Sequence, residues 1–302
     1  MTYPFRLLLA ILLITGLVAP SAEAQSAQHV FIVSFDGGKP MVMQHSQMPT
    51  LDGMLAEGAG TWWAQTVFPS LTLVAHTSML TGVSPAQHKI DWNDWDPTKG
   101  LVTVPTMFAL AHQKGITTAM FVCKDKFKHL NVPGTLDIFA IPSHSASAVA
   151  ATAGSYILAH KPGLCFVHFE DSDAAGHKYG WGSPEQKRSF TDEDGALRTI
   201  KDAIQKAGIE KTSVVIVTAD HGGHATTHGS NTAEDMNIPW IAWGSGVKRG
   251  YTITADVTTY DTAATALWLL HVPIPKNWDG KPVITAFAQT DLSSASRARS
   301  VR

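Results

Sequence analysis

Short apolar runs alternate along the chain with segments in which apolar residues recur every three or four positions. The short runs predict β-strands at residues 29–35, 61–68, 116–123, 164–169, 213–219 and 238–244. The helical spacing predicts α-helices over residues 48–59, 104–114, 145–160, 190–207 and 261–270, and a loop running into a further helix at 69–82. Because strands and helices alternate throughout, we predict an α/β fold with a doubly wound, mostly parallel central sheet flanked by helices on both faces.

The segment VVIVTADHGGHATTHG, residues 214–229, joins a strand to a histidine-rich loop. Its β-branched start is typical of a strand buried on both faces, and Asp220 and His221 fall where that strand would end. Ligands bind at this end of the strands in open α/β sheets. With His228 on the same loop, carboxylate and imidazole groups favour a divalent-metal site of the zinc type. The alternative is a strand-end loop with solvated histidines.

Two other predicted strands also lead into acidic residues. Asp36 follows the strand at 29–35, and Asp173 comes after the strand at 164–169. Asp173 lies four residues before His177, so one helical turn would bring both side chains to one face. Three acids and three histidines would then meet at one edge of the sheet. Two zinc-type ions about 4 Å apart need such a set.

Thr72 lies in the predicted first turn of the helix within residues 69–82. The unpaired N–H groups and the positive dipole end of a helix N-terminus favour an alkoxide at such a position. Thr72 is therefore a candidate nucleophile. An ordinary threonine N-cap is the alternative.

The composition and the terminal segments indicate the size and the location of the protein, but not its chemistry. The chain has 302 residues, 44% of them hydrophobic, and a formal net charge of −2, which fits one α/β domain at residues 25–288. No basic stripe indicates binding to a nucleic-acid polymer. Residues 1–24 have the pattern of a secretory signal peptide, so we expect a secreted or periplasmic protein whose mature chain has no membrane span; a retained N-terminal anchor is the alternative. The Ser/Arg-rich residues 289–302 predict a disordered tail.

The chain has two cysteines, Cys123 and Cys165, and an exported protein could pair them. Cys123 closes one predicted strand and Cys165 opens another. In parallel strands the two thiols would lie at opposite ends of the sheet. We therefore expect two unpaired, buried thiols.

Taken in chain order, the candidate residues form a pattern: Asp36, then FPxxTxxxH, DxxxGH, ADHG and HG. This order resembles the alkaline-phosphatase superfamily, and most closely its type I phosphodiesterase/nucleotide pyrophosphatase branch. The resemblance runs from about residue 29 to residue 283 and implies an alkaline-phosphatase-like fold. It also implies two divalent metal ions, for which Zn²⁺ is the best match.

The resemblance implies a role for each matching residue. One ion would be held by Asp36, Thr72, Asp220 and His221, and the other by Asp173, His177 and His228. Thr72 would be the nucleophile of a two-step hydrolysis through a phospho-threonine intermediate. Asn93, 21 residues after Thr72, would donate to a phosphate oxygen beside the backbone N–H of Leu73, and His76 would be structural.

Three features depart from the family pattern. Ala75 stands where the branch often has asparagine. His221 and His228 are seven residues apart, whereas many relatives insert a cap segment there. His224 is a competing ligand on the same loop, but the HG pair at His228 fits the pattern better.

Lys124 and Lys126, in the sequence CKDK, follow the predicted strand at 116–123. They resemble a paired-cation motif of phosphomonoesterase and phosphonoacetate-hydrolase members of the superfamily. Extra cations would favour a dianionic monoester or phosphonate over a singly charged diester. A solvated lysine run is the alternative. Trp92 and Trp95 would pack the nearby loop or stack on a substrate ring, and we favour packing.

We therefore predict an exported, dinuclear-metal hydrolase of phosphate esters, acting on a phosphodiester, nucleotide pyrophosphate or phosphomonoester. A phosphonoacetate-type hydrolase that uses Lys124 and Lys126 is an alternative. A metal- or phosphate-binding protein without catalysis is another, although it would lack a ligand or the nucleophile, and none is missing. Export and the absence of a large cap disfavour a phosphomutase. The expected partner is a small-molecule phosphate ester or phosphonate.

Overall fold

A computed structural model describes residues 27–288 of the chain; the predicted signal peptide and C-terminal tail lie outside the described residues. Eight strands within residues 27–288 form one sheet. They are β1 (His29–Phe35), β2 (Ala59–Gln65), β3 (Thr118–Phe121), β4 (Ile138–Ala140), β5 (Leu164–Phe169), β6 (Ser213–Ala219), β7 (Asn237–Gly244) and β8 (Tyr251–Thr252). Their order across the sheet is β4-β3-β5-β1-β6-β7-β2-β8.

The α-helices come between these strands. They are α1 (Pro40–Met43), α2 (Pro49–Glu57), α3 (Thr72–Thr81), α4 (Pro85–His88), α5 (Met107–His112), α6 (Ala146–His160), α7 (Asp171–Tyr179), α8 (Pro184–Lys206), α9 (Ala233–Met236) and α10 (Asp261–Leu269). Short 3₁₀ turns occur at Pro97–Lys99, Asp125–Leu130, Glu210–Thr212 and Ile284–Ala286.

Most strand pairs are parallel, as predicted. β5 and β6 both pair with β1 in parallel, and β3 and β4 extend this parallel half. β7 is antiparallel to both β6 and β2. One reversed strand therefore separates the parallel half from the edge formed by β2 and β8.

Helices cover both faces of the sheet. One apolar core joins β-strand side chains such as Val30 and Ile216 to residues of α3, α5 and α10. The other joins the opposite face of the same strands, through Phe31 and Val215, to residues of α2, α6 and α8. This two-sided packing confirms the doubly wound α/β prediction, and it explains why β1, β5 and β6 read as nearly continuous apolar runs.

Some predicted boundaries were wrong. The strand predicted at 61–68 begins earlier, at Ala59, because Ala59 and Gly60 pair with both β7 and β8. It ends at Gln65, before a cis peptide bond between Phe68 and Pro69. The edge strands β4 and β8 were not predicted, because three and two residues are too few to show a periodic pattern.

The cysteine prediction is confirmed, since Cys123 and Cys165 are both buried and unpaired. Cys165 opens β5 opposite Ala119, whereas the Cys123 thiol lies 3.2 Å from the backbone oxygen of His168 near the other end of β5. The length of the strand thus separates the two sulfur atoms. Between residues 27 and 288, none of the helices combines the length and hydropathy needed to cross a bilayer.

Candidate active site

Four neighbouring parallel strands carry charged residues just beyond their C-terminal ends. Across the sheet, β3, β5, β1 and β6 lead into Lys124, Asp173, Asp36 and Asp220 respectively. The three acids are buried, with exposed fractions of 0% for Asp36 and Asp220 and 4% for Asp173. The strand order therefore brings together residues that are far apart in sequence, at the edge where α/β sheets bind ligands.

Each of these acids has one oxygen held by protein donors and one without a hydrogen-bond partner. Oδ1 of Asp220 accepts from the backbone N–H groups of Gly37 and His221, at 3.1 and 3.0 Å. Oδ2 of Asp36 lies 2.9 Å from His168 and 2.6 Å from Lys124. The remaining oxygens, Asp36 Oδ1, Asp173 Oδ1 and Asp220 Oδ2, are buried and unpartnered within the described residues.

Unpartnered buried carboxylate oxygens are costly unless a cation meets them. Here all three face imidazole nitrogen. Nε2 of His221 lies 3.3 Å from Asp36 Oδ1 and 3.3 Å from Asp220 Oδ2, while Nε2 of His177 lies 3.4 Å from Asp173 Oδ1. Carboxylate oxygen with imidazole nitrogen is a donor set that suits zinc, so these residues fit a metal site.

The three candidate histidines share one hydrogen-bonding pattern. Their Nδ1 atoms contact backbone carbonyl oxygens, of Thr226 for His177, Gly222 for His221 and Ser70 for His228, at 2.8–2.9 Å. A carbonyl can only accept, so Nδ1 carries the proton in each ring. Nε2 of a neutral ring then presents its lone pair, as in metal-ligating histidines whose other nitrogen is held by a carbonyl.

Two groups of side chains are close enough to hold an ion. The first is Asp36, Asp220 and His221; the second is Asp173, His221 and His228, and within each group the ligand atoms lie within 4.8 Å of one another. The rings of His221 and His228 stack with centroids 3.6 Å apart, which places His221 between the groups. His177 is outside the compact second group, with a side chain 43% exposed, so its role as a ligand stays a prediction.

The electrostatics indicate a shortage of positive charge. Burial, followed by the charge of Asp36, raises the pKa of Asp220 to about 8. Burial would lower the pKa of His221, but Asp220, Asp36 and Asp173 together outweigh burial and raise that pKa to about 9. Burial lowers the pKa of His228 to about 4, so its ring is neutral near pH 7. The cluster thus takes up protons when no metal cation is bound, as expected of a metal-binding set.

Thr72 is the first residue of α3 and is 1% exposed. Leu71 is the N-cap, so the alternative of an ordinary threonine N-cap is wrong. The Thr72 hydroxyl lies 3.4 Å from Nε2 of His221. It therefore faces the same atom that Asp36 and Asp220 face.

Asn93 and Leu73 lie next to each other and are joined by a hydrogen bond. The Leu73 N–H donates to Oδ1 of Asn93 at 2.9 Å. Because the backbone group must donate, the acceptor is the side-chain oxygen, and the Asn93 NH₂ group remains for another acceptor. The predicted contacts of both residues with a phosphate oxygen stay predictions.

Lys124 and Lys126 have different surroundings. The Lys124 ammonium lies 2.6 Å from Asp36 and 2.5 Å from Asp173, and these carboxylates raise its pKa against the effect of burial. Lys126 is partly buried, and no carboxylate of the described residues lies within 4 Å of it. Burial and then the charge of Lys124 lower the pKa of Lys126.

Comparison with known proteins agrees with this geometry. Residues 30–242 match the sequence profile of a family described as type I phosphodiesterase / nucleotide pyrophosphatase. The chain belongs to this family. The profile includes every residue placed at the cluster, from Asp36 to His228.

Individual members are distant relatives. Bis(5'-adenosyl)-triphosphatase ENPP4 of Bos taurus is 26% identical over 238 residues, which are 71% of this chain and 52% of the relative. Ectonucleotide pyrophosphatase/phosphodiesterase family member 7 of Mus musculus is 23% identical over 225 residues, 67% of this chain and 51% of the relative. The chain thus spans about half the length of these curated relatives.

Solved structures share the fold. Murine ectonucleotide pyrophosphatase / phosphodiesterase 5, an inactive variant in complex with AMP, superposes with a TM-score of 0.74 at 16% identity, covering 86% of this chain and 100% of that one. A sulfatase described as putative, from Bacteroides thetaiotaomicron, gives 0.72 at 15% identity, covering 88% and 76%. These matches confirm the alkaline-phosphatase-like fold.

Two residues at the site, His168 and Trp181, were not predicted from the sequence. His168, near the end of β5, accepts from the Cys123 N–H through Nδ1, so its Nε2–H donates to Asp36. Trp181 donates to the Gly37 carbonyl at 3.1 Å and packs against the rings of His177 and His228. For His168, the available sequence signal was a histidine within the apolar run LCFVHF. No sequence feature indicated Trp181.

The other two histidines singled out from the sequence are His224 and His76. Nδ1 of His224 contacts Asp235 at 2.7 Å, and His224 belongs to neither compact group. His76 is fully buried, donates to the backbone oxygen of Thr72 at 2.8 Å and lies 2.8 Å from the Ser34 hydroxyl. His76 thus fixes the backbone at Thr72.

Proposed function

We propose that the protein hydrolyses phosphate esters at this cluster, with two divalent metal ions and Thr72 as the nucleophile. One observation carries the proposal: three unpartnered, buried carboxylate oxygens face imidazole Nε2 atoms, and the Nε2 that two of them share, on His221, lies 3.4 Å from the Thr72 hydroxyl. The names of the relatives, nucleotide pyrophosphatase/phosphodiesterase and bis(5'-adenosyl)-triphosphatase, support the same reaction class.

The donor set divides between two ions in this proposal. Asp36, Thr72, Asp220 and His221 would hold one, and Asp173, His177 and His228 the other. Three nitrogen donors favour zinc over magnesium or calcium, which prefer oxygen ligands. When bound, such a pair lowers the pKa of a hydroxyl and neutralises charge on a phosphoryl group and its leaving oxygen.

The chain's own groups account for the rest of the chemistry. Thr72 Oγ1 forms a bond to phosphorus while the bond to the leaving oxygen breaks, which gives phospho-Thr72 and a free alcohol or nucleotide. Water then attacks phosphorus, releases phosphate or a phosphate monoester, and restores the hydroxyl. The Asn93 NH₂ group, aligned by the bond from Leu73, donates to a phosphoryl oxygen as negative charge develops.

A preference for dianionic substrates, such as phosphomonoesters or phosphonocarboxylates, is the second candidate. It is supported by Lys126, which is partly buried near Asp36 and Asp173 and has no carboxylate of the described residues within 4 Å. A free cation at the rim favours a substrate that carries a second negative charge. We also propose export, on the pattern of residues 1–24.

Replacing the nucleophile tests the proposal. Thr72→Ala should reduce turnover of aryl phosphate esters by on the order of 10⁴-fold or more, as removal of an enzyme nucleophile does. Zinc-loaded wild type, Thr72→Ala and the exposed-site control Thr98→Ala would be assayed on an aryl monoester, the matching diester and phosphonoacetate. Metal content would be measured on the same samples, and two ions should remain in Thr72→Ala.

Retained turnover in Thr72→Ala would remove Thr72 from the proposed role. Bound metal with no turnover of any ester by wild type would favour the non-catalytic alternative. The ranking of the three substrates for wild type decides between the diester and dianion preferences.

A further inference from the structure

One ammonium group contacts acids of both proposed ion sites. The Lys124 ammonium lies 2.6 Å from Oδ2 of Asp36 and 2.5 Å from Oδ2 of Asp173. Asp36 belongs to the first group of metal-binding side chains and Asp173 to the second. Lys124 therefore links the two groups through a single charge.

The contacts divide each carboxylate in the same way. Lys124 contacts the Oδ2 atoms, whereas the Oδ1 atoms of Asp36 and Asp173 are unpartnered and face Nε2 of His221 and His177. The ammonium contacts one oxygen of each carboxylate, and the imidazole of His221 or His177 faces the other oxygen. Holding Oδ2 fixes the plane of each carboxylate, and this aims Oδ1 at the imidazoles.

The charge of Lys124 also has an electrostatic effect within the cluster. Asp36, Asp173 and Asp220 are buried together, and buried like charges repel unless a cation meets them. His168 also donates to Asp36, but it contributes a neutral donor and makes no contact with Asp173. Among the described lysines and arginines, Lys124 is the one within 4 Å of these acids.

We propose that Lys124 is a positioning residue that acts as the internal counter-ion of the two ligand sets, holding Asp36 and Asp173 in register before any metal ion binds. The inference rests on the proposed metal centre. The inference assigns different roles to the two lysines: Lys124 aligns metal ligands, and Lys126 is the cation that can contact a substrate.

The test compares Lys124→Met with Lys126→Met, which removes a neighbouring charge that has no carboxylate partner within 4 Å. Chelator-treated and zinc-titrated samples of both variants and wild type would be followed by thermal melting. Zinc affinity would be measured by competition with a chromophoric chelator. The visible spectrum of the Co²⁺-loaded proteins would report the ligand geometry.

Without metal, Lys124→Met should melt lower than wild type by roughly 5–10 °C, because removing one partner leaves buried charge uncompensated. Zinc should reduce this difference in melting temperature, because the bound ions then supply the positive charge. The zinc-induced rise in melting temperature should therefore exceed that of wild type, and by linkage the folded variant should bind zinc more tightly than wild type. The Co²⁺ spectrum should change, because both carboxylates lose the contact that aligns them. Lys126→Met should match wild type in all three measurements.

If Lys124 contacts the substrate directly instead, a different pattern is expected. Melting, zinc affinity and the Co²⁺ spectrum of Lys124→Met would equal those of wild type, with only KM for a dianionic ester raised, and this result would overturn the inference. A Lys124→Met protein that folds only with zinc supports it. If that variant folds in neither condition, Lys124→Gln, which keeps one donor, replaces it under the same criteria.

These measurements do not depend on turnover, so the two proposals can fail separately. Wild type that binds no zinc would refute the proposed metal centre itself. Wild type that binds two ions while Lys124→Met behaves identically would refute only the role of Lys124.

Discussion

Asn93 allows stability and activity to be changed in opposite directions. Its side-chain oxygen accepts from the N–H of Leu73, the second residue of α3, and its NH₂ group is proposed to donate to phosphate. Asn93→Asp keeps the shape and the accepting oxygen. It replaces the donor with a negatively charged oxygen.

The two effects have different magnitudes. Loss of one donor to a transition-state oxygen costs about 10²–10³-fold in kcat. A carboxylate at a helix N-terminus stabilises by about 0.3–1 kcal/mol through the helix dipole, which corresponds to roughly 1–3 °C in Tm. Asn93→Asp should therefore melt at or slightly above the wild-type temperature while turnover falls by at least two orders of magnitude.

Asn93→Ala provides the comparison. It also loses the NH₂ group, so its turnover should fall similarly. It leaves the buried Leu73 N–H without an acceptor, however, which costs about 1–3 kcal/mol. The assays are kcat with an aryl phosphate ester under saturating zinc, and thermal melting with metal content checked. Asn93→Asp with wild-type turnover would exclude the NH₂ group as a donor, and a loss of stability equal to that of Asn93→Ala would refute the bond to Leu73.

Two further predictions concern packing. Gly223→Ala would place its Cβ 2.1 Å from the Trp181 ring, so we expect a loss of about 1–3 kcal/mol in unfolding free energy and weaker zinc binding, measured by denaturation and chelator competition. Gly195→Ala, in open space on α8, should instead be neutral or stabilising; equal losses in both variants would contradict the role of Trp181. Burial raises the pKa of Cys123 and of Cys165, so neither thiol should react with a thiol reagent in the native protein and both should react after denaturation. Rapid labelling of the native protein would contradict their burial.

Sequence patterns predicted the strands that are buried on both faces better than those at the edge. The bounds of β5 and β6 match the prediction, because a short, continuous and β-branched or aromatic apolar run is typical of a strand buried on both faces. The start of β2 was predicted too late, because β2 begins with Ala59 and Gly60, whose strand conformation depends on pairing with β7 and β8. Pairing of this kind is a tertiary effect that local composition does not encode.

The candidate site, too, could be predicted from the sequence only in part. Asp36 and Asp220 could be placed from sequence, because each directly follows a buried strand. The contacts of Lys124 with Asp173 and of Trp181 with the Gly37 carbonyl could not be predicted. They depend on side-chain direction across neighbouring strands and loops, whereas periodicity reports only which face a residue occupies.

The three candidate histidines are oriented by backbone carbonyls, at Ser70, Gly222 and Thr226, and not by side chains. A carbonyl cannot be removed by a point substitution. The acceptors themselves therefore do not depend on the identity of a side chain, whereas insertions, deletions or a changed backbone path would displace a ring. Selection must therefore preserve the length of these loops, and the closely packed Gly222 and Gly223, to keep the rings in place.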